Sequence, residues 1–452
     1  MKISVSGARG IYNEDFTLSQ VHNLTKLFSD YLRQIKKKNI RCLSACDTRP
    51  SSDFIKRVVT STLINFDIEV YDLGIAPTPI AFRESKKYDC GIIITASHNP
   101  LNWNGLKFIL DGRGIFENEL IEMLHGYNHN HIDNNEHSNI AKSYQILPNY
   151  IYEISQLIST MDQVSENKKK IGLDLCGGAA CNYAEELFKK FHQKSYSING
   201  NIGISSHGPD PTSDDLIELR SLVKLNNMDF GFAFDFDGDR VVVIDRNGKK
   251  LTPDNTLLLC IASSIINFKA KKFVTSIDTS ISVQKFIEDN NGIYEYSKVG
   301  ESNVLRKAQE IDADACGEGS SAGFILPSFN ACRDGFLASI IISLMNDRII
   351  KDCLDLSSNY SQIRSKIPIN MEVQNILMEK LENEFKKISS EIVKLDGIKI
   401  ILDENSWILI RKSNTEYSLR ISVESLHGRT ESLAKQYLNK INEIHDQIVK
   451  RN

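Results

Sequence analysis

Apolar and polar positions alternate in blocks along this chain, and one order of blocks returns three times. After a glycine loop at 6–10, Val21, Leu24, Phe28, Tyr31, Leu32 and Ile35 recur at helical spacing. Thr17-x-x-Gln20 ahead of them is a capping box, in which each side chain meets a free backbone N–H of the other. The run Lys36-Lys37-Lys38 reads as a solvated helix end, where cations suit the dipole. In 40–74 a short strand ends at Asp47, a polar loop leads to a helix on Phe54, Val58 and Leu63, and the strand 68–71 follows. The order returns in 169–199, with a strand ending at Asp174 and a helix on Tyr183, Leu187 and Phe191. It returns again in 271–300, where the strand 273–277 stops before Asp278. These strand ends lie a domain length apart, so the repetition predicts related domains and not a solenoid. The tail differs: 398–402, 407–411 and 419–423 read as strands, and Leu433, Tyr437, Ile441, Ile444 and Ile448 line one face of a helix. The expected fold is α/β: three similar mixed α/β domains at 1–138, 139–250 and 251–365, then an α+β domain at 366–452.

Charge and composition narrow the classes. Lys plus Arg total 54 against 58 Asp plus Glu, a net charge of -4, which argues against a nucleic-acid binder. The richest apolar stretch, 257–266, is interrupted by Ser263 and Ser264 and falls short of the roughly 20 residues of a membrane span. The N-terminus has no apolar signal core. Nine cysteines, at 42, 46, 90, 176, 181, 260, 316, 332 and 353, form no CxxC pair, so neither a zinc site nor a disulfide framework is expected. The expectation is a reduced, cytoplasmic protein. Four histidines crowd 125–137 among Asn, Asp and Ser, which reads as a solvated linker.

Four segments carry chemistry. In Thr95-Ala96-Ser97-His98-Asn99-Pro100, an apolar strand stops and turn-forming residues project Ser97 from its carboxyl end, where ligands gather in open α/β sheets. A lone Ser-His pair equally fits a capped turn. In Asp235-Phe236-Asp237-Gly238-Asp239-Arg240, three carboxylates alternate around a glycine, and such crowding calls for a neutralising cation. Oxygen ligands select Mg²⁺ or Ca²⁺, and the apolar strand that follows does not continue an EF-hand loop. Arg411-Lys412-Ser413-Asn414-Thr415-Glu416-Tyr417, with Arg420 beyond, offers cations, hydroxyls and turn N–H groups to a phosphate. Gly317-Glu318-Gly319-Ser320-Ser321-Ala322-Gly323 suits a sugar's hydroxyls and also a flexible loop. Two arginine loops, around Arg9 and Arg49, complete the set. A serine, a hard cation and anion-binding groups are the parts phosphoryl transfer needs, because catalysis there is mostly positioning and charge neutralisation.

In motif order the chain resembles the α-D-phosphohexomutase family over essentially its whole length. The resemblance implies four domains around a central active-site cleft. It implies that Ser97 is the phosphoserine and joins Asp235, Asp237 and Asp239 on Mg²⁺, with His98 beside it. Arg9 and Lys107 would bracket the reacting hydroxyl as acid/base groups, and Arg240 and Arg49 would balance charge. Glu318 and Ser320 would bind the sugar, while Arg411, Ser413, Asn414, Thr415 and Arg420 hold the non-reacting phosphate. The implied reaction interconverts hexose 6- and 1-phosphates through a 1,6-bisphosphate, which also serves as activator. The segments 103–108, 297–301 and 317–323 look most like phosphoglucosamine-mutase-type members, with mannose and glucose phosphates as alternatives. A Mg²⁺-dependent sugar phosphatase and a non-catalytic sugar-phosphate binder are the rivals of other classes. The implied partners are small hexose phosphates, with neither nucleic acid nor membrane, and a homodimer is left open. Three positions depart from the family pattern: Ala322-Gly323-Phe324 lacks a histidine that many members carry, Tyr417 stands where proline is usual, and Cys46 where arginine is frequent.

Overall fold

The computed structural model describes residues 1–36, 39–125, 142–164, 168–387, 391–413 and 418–449. Four sheets succeed one another along the chain, and three contain the same four-stranded core. In the first, Glu69–Ile75, Arg41–Cys46 and Cys90–Ile94 run parallel, and Trp103–Leu110 closes antiparallel to Cys90–Ile94. In the second, Lys194–Ile198, Lys170–Asp174 and Phe230–Phe234 are parallel and Val241–Asp245 is antiparallel. Ile293–Ser297, Lys272–Ser276, Ala315–Glu318 and Gly323–Ile325 take these places in the third. The repeating order of strands and helices in the sequence thus corresponds to three similar mixed α/β units. The first sheet is widened at one edge by Gly7–Ile11 and at the other by Ser143–Gln145.

Local chemistry explains the recurring aspartates. Asp47 accepts a hydrogen bond from the N–H of Arg49 at 3.0 Å, and Asp174 one from the N–H of Cys176 at 3.0 Å. Each side chain stands in for a backbone acceptor and turns the chain out of the strand. Strands such as Cys90–Ile94 and Phe230–Phe234 are buried at every residue, as expected where helices cover both faces.

The helices follow the predicted periodicity in part: Tyr183 and Phe191 flank the helix Ala184–Lys190, whose buried face is Ala184, Leu187 and Phe188, and Ile35 is exposed. In Leu18–Lys36 the capping box forms, with Thr17 N–H donating to Gln20 Oε1 at 2.7 Å, and Val21, Leu24, Phe28 and Leu32 are buried. In Ser52–Asn65 the buried face is Ile55, Val59 and Leu63, whereas Phe54 is 57% exposed. The stretch 257–266 lies within the helix Pro253–Phe268, buried nearly all round in a core shared by the second and third sheets. Apolar residues on every side fit a central helix of a large core. Among the described residues no helix is long and apolar enough to cross a membrane.

The fourth sheet is antiparallel and has five strands, in the order Tyr360–Pro368, Ser418–Leu426, Ser406–Lys412, Ile398–Asp403 and Ile392–Val393. It therefore begins at Tyr360, ahead of the expected 366. Leu433, Tyr437, Ile441, Ile444 and Ile448 of the helix Thr430–Val449 pack in its core. Glu424 ties this sheet to the third unit by accepting the N–H of Ile281 at 2.8 Å, and Arg364 pairs with Asp254 at 2.9 Å.

One consequence of the repetition governs the site. The three connections from the last parallel strand to the antiparallel strand are 95–102, 235–240 and 319–322. Each leaves the carboxyl end of a parallel strand, where ligands bind in α/β sheets.

Candidate active site

The serine loop is held in an unusual conformation from several directions. Ser97 has φ +52, a left-handed geometry that costs a non-glycine residue about 1 kcal/mol or more. Its N–H donates to Thr95 Oγ1 at 2.8 Å. Arg49 donates to the carbonyls of Ser97, Asn99 at 2.7 Å, Pro100, and Trp103 at 3.0 Å, while its Nε meets Asp47 at 3.0 Å. The same guanidinium lies 5.2 Å from the ring centre of Phe236 in the aspartate loop. The family resemblance implies that Arg49 balances charge; in the structure its donors go to four backbone carbonyls and to Asp47, so it braces the loop. Arg9 reaches the loop more loosely, with Ala96 O at 3.4 Å and Asn99 Oδ1 at 3.3 Å.

Ser97 projects toward the aspartate loop. Its hydroxyl donates to Asp235 Oδ2 at 3.3 Å and lies 3.4 Å from His98 Nδ1. Asp235, Asp237 and Asp239 are buried, with one ligand atom from each within 4.8 Å of the others. Gly238, at φ +71, makes the turn between them. Lys107 Nζ donates to Asp237 Oδ2 at 2.6 Å and to Asp239 Oδ2 at 3.2 Å. Thr78 Oγ1 donates to Asp237 Oδ2 at 2.7 Å. Arg240 Nε stands 3.6 Å from Asp239 Oδ1 and 3.9 Å from Asp235 Oδ2.

These contacts divide the carboxylates. Burial, then the charges of Asp239 and Asp237, push the Asp235 carboxyl well above its ordinary range. Against burial and Asp239, Lys107 holds Asp237 below that range. Against burial, Arg333, Lys107 and Arg240 hold Asp239 low. Burial opposes the Lys107 charge, but Asp237 and Asp239 raise it, so the amine is an ammonium. Asp237 Oδ1 and Asp239 Oδ1 are buried without a hydrogen-bond partner. Two orphaned anionic oxygens beside a strained carboxyl fit a divalent cation, and the triad can hold one.

His98 differs from an acid/base histidine. The positive charge of Arg240, then burial, then Arg9 and Arg333, push its imidazole down to about 2. A ring this acidic is neutral at ordinary pH and a weak base. The ring signals of His98 in selectively labelled protein are therefore expected to stay unchanged from pH 8 to pH 5. Titration near the ordinary value of about 6.5 would show the surrounding guanidiniums to be misplaced.

The segment 317–323 contributes from the third unit. Glu318 Oε1 accepts the N–H of Gly300 at 2.7 Å, and Oε2 meets Arg333 NH1 at 3.3 Å. Ser320 sits on the single 3-10 turn Gly319–Ser321 that follows. In the fourth unit, Arg411 and Arg420 face one another on adjacent strands, and Arg420 Nε donates to Ser413 Oγ at 3.4 Å. Two like charges placed opposite repel, and an anion between them relieves this. Asn414, Thr415 and Tyr417 lie outside the described residues, as do three of the four histidines of 125–137.

Sequence reasoning missed three contributors. Thr78 opens the helix Thr78–Ser85, Glu301 opens Glu301–Ile311, and Arg333 precedes the helix Gly335–Ser343. Each looks locally like helix-start chemistry. The one available signal was Asp334-Gly335 ahead of an apolar run, a helix N-cap that fixes where Arg333 emerges. Arg333 pairs with Asp239 at 2.8 Å and with Glu301 at 2.9 Å.

Comparison with known proteins agrees with this geometry. Residues 1–127, 148–248 and 252–360 match the three models "Phosphoglucomutase/phosphomannomutase, alpha/beta/alpha domain" I, II and III. A phosphoglucosamine/phosphogalactosamine mutase of Sulfurisphaera tokodaii is 30% identical over 97% of this chain and 97% of its own length. A phosphoglucosamine mutase of Methanococcus vannielii is 30% identical over 90% of this chain and 92% of its own. The crystal structure of a phosphoglucomutase/phosphomannomutase family protein from Burkholderia thailandensis shares the fold, with TM-score 0.83 over 98% of both chains at 19% identity. Three family domains in order, and a relative alike along nearly the whole length, establish that this chain belongs to the phosphoglucomutase/phosphomannomutase family, the α-D-phosphohexomutases.

Proposed function

We propose that this phosphohexomutase interconverts the 6- and 1-phosphates of glucosamine through a phosphorylated Ser97 and a 1,6-bisphosphate. The observation that carries the reading is the 3.3 Å approach of the Ser97 hydroxyl to Asp235, inside a triad with two buried oxygens that accept no hydrogen bond. The choice of sugar is supported by relatives named as phosphoglucosamine mutases.

In this reading Asp235, Asp237, Asp239 and the phosphorylated Ser97 hold Mg²⁺. The ion supplies charge neutralisation for the phosphoryl group as it transfers. Charge balance favours a paired arrival of ion and phosphate. Around the loop, Asp235, Asp237, Asp239, Glu301 and Glu318 face Arg9, Lys107, Arg240 and Arg333, which nearly cancel. A phosphate dianion alone would upset that balance, whereas a dianion with a divalent cation leaves it unchanged. Arg9 and Lys107 bracket the reacting hydroxyl, and the ionised state of Lys107 suits giving a proton to the departing serine oxygen. Arg49 positions the serine loop, and Arg240 balances charge. Glu318 and Ser320 meet the sugar hydroxyls. Arg411, Ser413, Asn414, Thr415 and Arg420 hold the phosphate that does not react. The four units, 1–138, 139–250, 251–365 and 366–452, supply one loop each, and the sheet strands favour extending the first to 145 and starting the fourth at 360.

Incubation with glucosamine 6-phosphate, Mg²⁺ and catalytic glucosamine 1,6-bisphosphate is expected to yield glucosamine 1-phosphate faster than mannose or glucose 6-phosphate yields its own 1-phosphate. Release of free phosphate in place of any 1-phosphate would mark a phosphatase, and a faster rate on mannose or glucose would reassign the sugar.

A further inference from the structure

Arg333 was absent from every sequence motif, yet no other described side chain pairs with three acidic residues from three separate elements at this site. Its side chain is 9% exposed, and its guanidinium meets Asp239 of the aspartate loop at 2.8 Å. It meets Glu301, the first residue of the helix Glu301–Ile311, at 2.9 Å, and Glu318 of the sugar loop at 3.3 Å. The backbone that carries it is rigidly placed. The next residue, Asp334, caps a helix by accepting the N–H of Leu337 at 2.9 Å. It also accepts the hydroxyl of Tyr150 at 2.6 Å and the amide of Asn330 at 3.0 Å.

The route of the side chain is equally specific. It crosses Gly323, where an added Cβ would lie 2.3 Å from Arg333 Cδ and 2.9 Å from Cγ. A side chain at position 323 would force Arg333 off this path to Asp239. The absence of bulk at the end of the sugar loop and the arginine ten residues later thus form one device.

We infer that Arg333 is a positioning residue that couples the metal loop of the second unit to the sugar site of the third; this rests on the assignment of those two loops above. Its cation is shared. It occupies Asp239 Oδ2 and leaves Oδ1 without a hydrogen bond, 3.6 Å from Arg240 Nε. It also competes with any cation bound by the triad. When the triad is neutralised from the other side, the guanidinium is released to Glu318 and Glu301 and holds Glu318 toward the sugar. A coupling of this kind is reciprocal, so metal occupancy tightens sugar binding and the sugar tightens the metal.

Two affinities of opposite sign test this. In Arg333→Met, calorimetry with Mg²⁺ alone is expected to give tighter binding, by about fivefold, because the competing cation is gone. Titration of the Mg²⁺-loaded variant with glucosamine 6-phosphate is expected to give binding weaker by about fivefold or more. A residue that merely supported the fold would weaken both; that result, or no change in either, overturns the inference. Gly323→Ala displaces the side chain while keeping every charge, is expected to shift both affinities the same way, and decides the matter where Arg333→Met does not fold. Repeating the titrations with mannose 6-phosphate and glucose 6-phosphate separates the two readings: preference for one of these removes glucosamine as the substrate and leaves the opposite-sign pattern to be judged on that sugar.

Discussion

Ser97→Ala is expected to lower mutase turnover by at least about 10⁴-fold, the scale of losing a covalent nucleophile, while the protein folds as before. The two halves of this expectation come from different atoms. The loop conformation depends on backbone groups: the Ser97 N–H bonded to Thr95 and its carbonyl bonded to Arg49. Alanine keeps both. It also bears a Cβ, so the cost of φ +52 is the same as for serine and stability changes little. The hydroxyl contributes only its 3.3 Å bond to Asp235 and its 3.4 Å approach to His98, both long for hydrogen bonds between oxygen or nitrogen atoms. What disappears is the atom that carries phosphorus in the proposed reaction. Initial rates with glucosamine 6-phosphate and bisphosphate, set beside thermal melting of the same preparation, check both halves. A variant that keeps more than about a hundredth of the turnover would rule out the covalent route, whatever its melting temperature.

The sequence discloses the parts of this site that are contiguous and conceals those assembled by packing. Thr95 to Pro100, Asp235 to Arg240 and Gly317 to Gly323 are legible because each loop carries its chemistry within a few residues. Their equivalence as the same connection in three sheets is not legible, since it depends on which strand pairs antiparallel. Arg333 and Glu301 come from helix starts in a different part of the third unit, and the sequence gives no reason to aim them at Asp239. Arg49 is a different case. An arginine beside a serine loop invites a phosphate, but four backbone carbonyls and Asp47 take its donors. Among the helices, Ser52–Asn65 offered two apolar sets one residue apart, Phe54 and Val58 or Ile55 and Val59. Periodicity alone cannot choose between such sets. Tyr360–Pro368 was missed because its alternation is mostly polar, with Arg364 and Lys366 on it, and its strand state comes from full-length pairing with Ser418–Leu426.

Asp237→Asn is expected to weaken Mg²⁺ binding by at least about tenfold and to slow turnover by about 10³-fold, equivalent to about 4 kcal/mol of lost charge stabilisation. Both carboxylate oxygens of Asp237 are committed, to different tasks. Oδ2 accepts Lys107 at 2.6 Å and Thr78 at 2.7 Å, while Oδ1 is buried with no partner in the protein. An amide keeps the shape but can serve only one task. With its nitrogen at the Oδ2 place it opposes the ammonium donor against donor and loses the bond it accepted from Thr78. With its nitrogen at the Oδ1 place it presents two protons where a cation should sit. Either orientation also removes one of the two charges, Asp237 and Asp239, that hold Lys107 as an ammonium against its burial. Raising the Mg²⁺ concentration should therefore restore occupancy but only part of the rate, because Lys107 remains poorly anchored in the refilled site. Mg²⁺ should also raise the melting temperature of the unaltered protein more than that of the variant at equal concentration, as linkage requires of a ligand that binds only the folded state. Equal Mg²⁺ affinity in the two proteins would show that the triad serves the fold alone, and would detach the metal from Ser97.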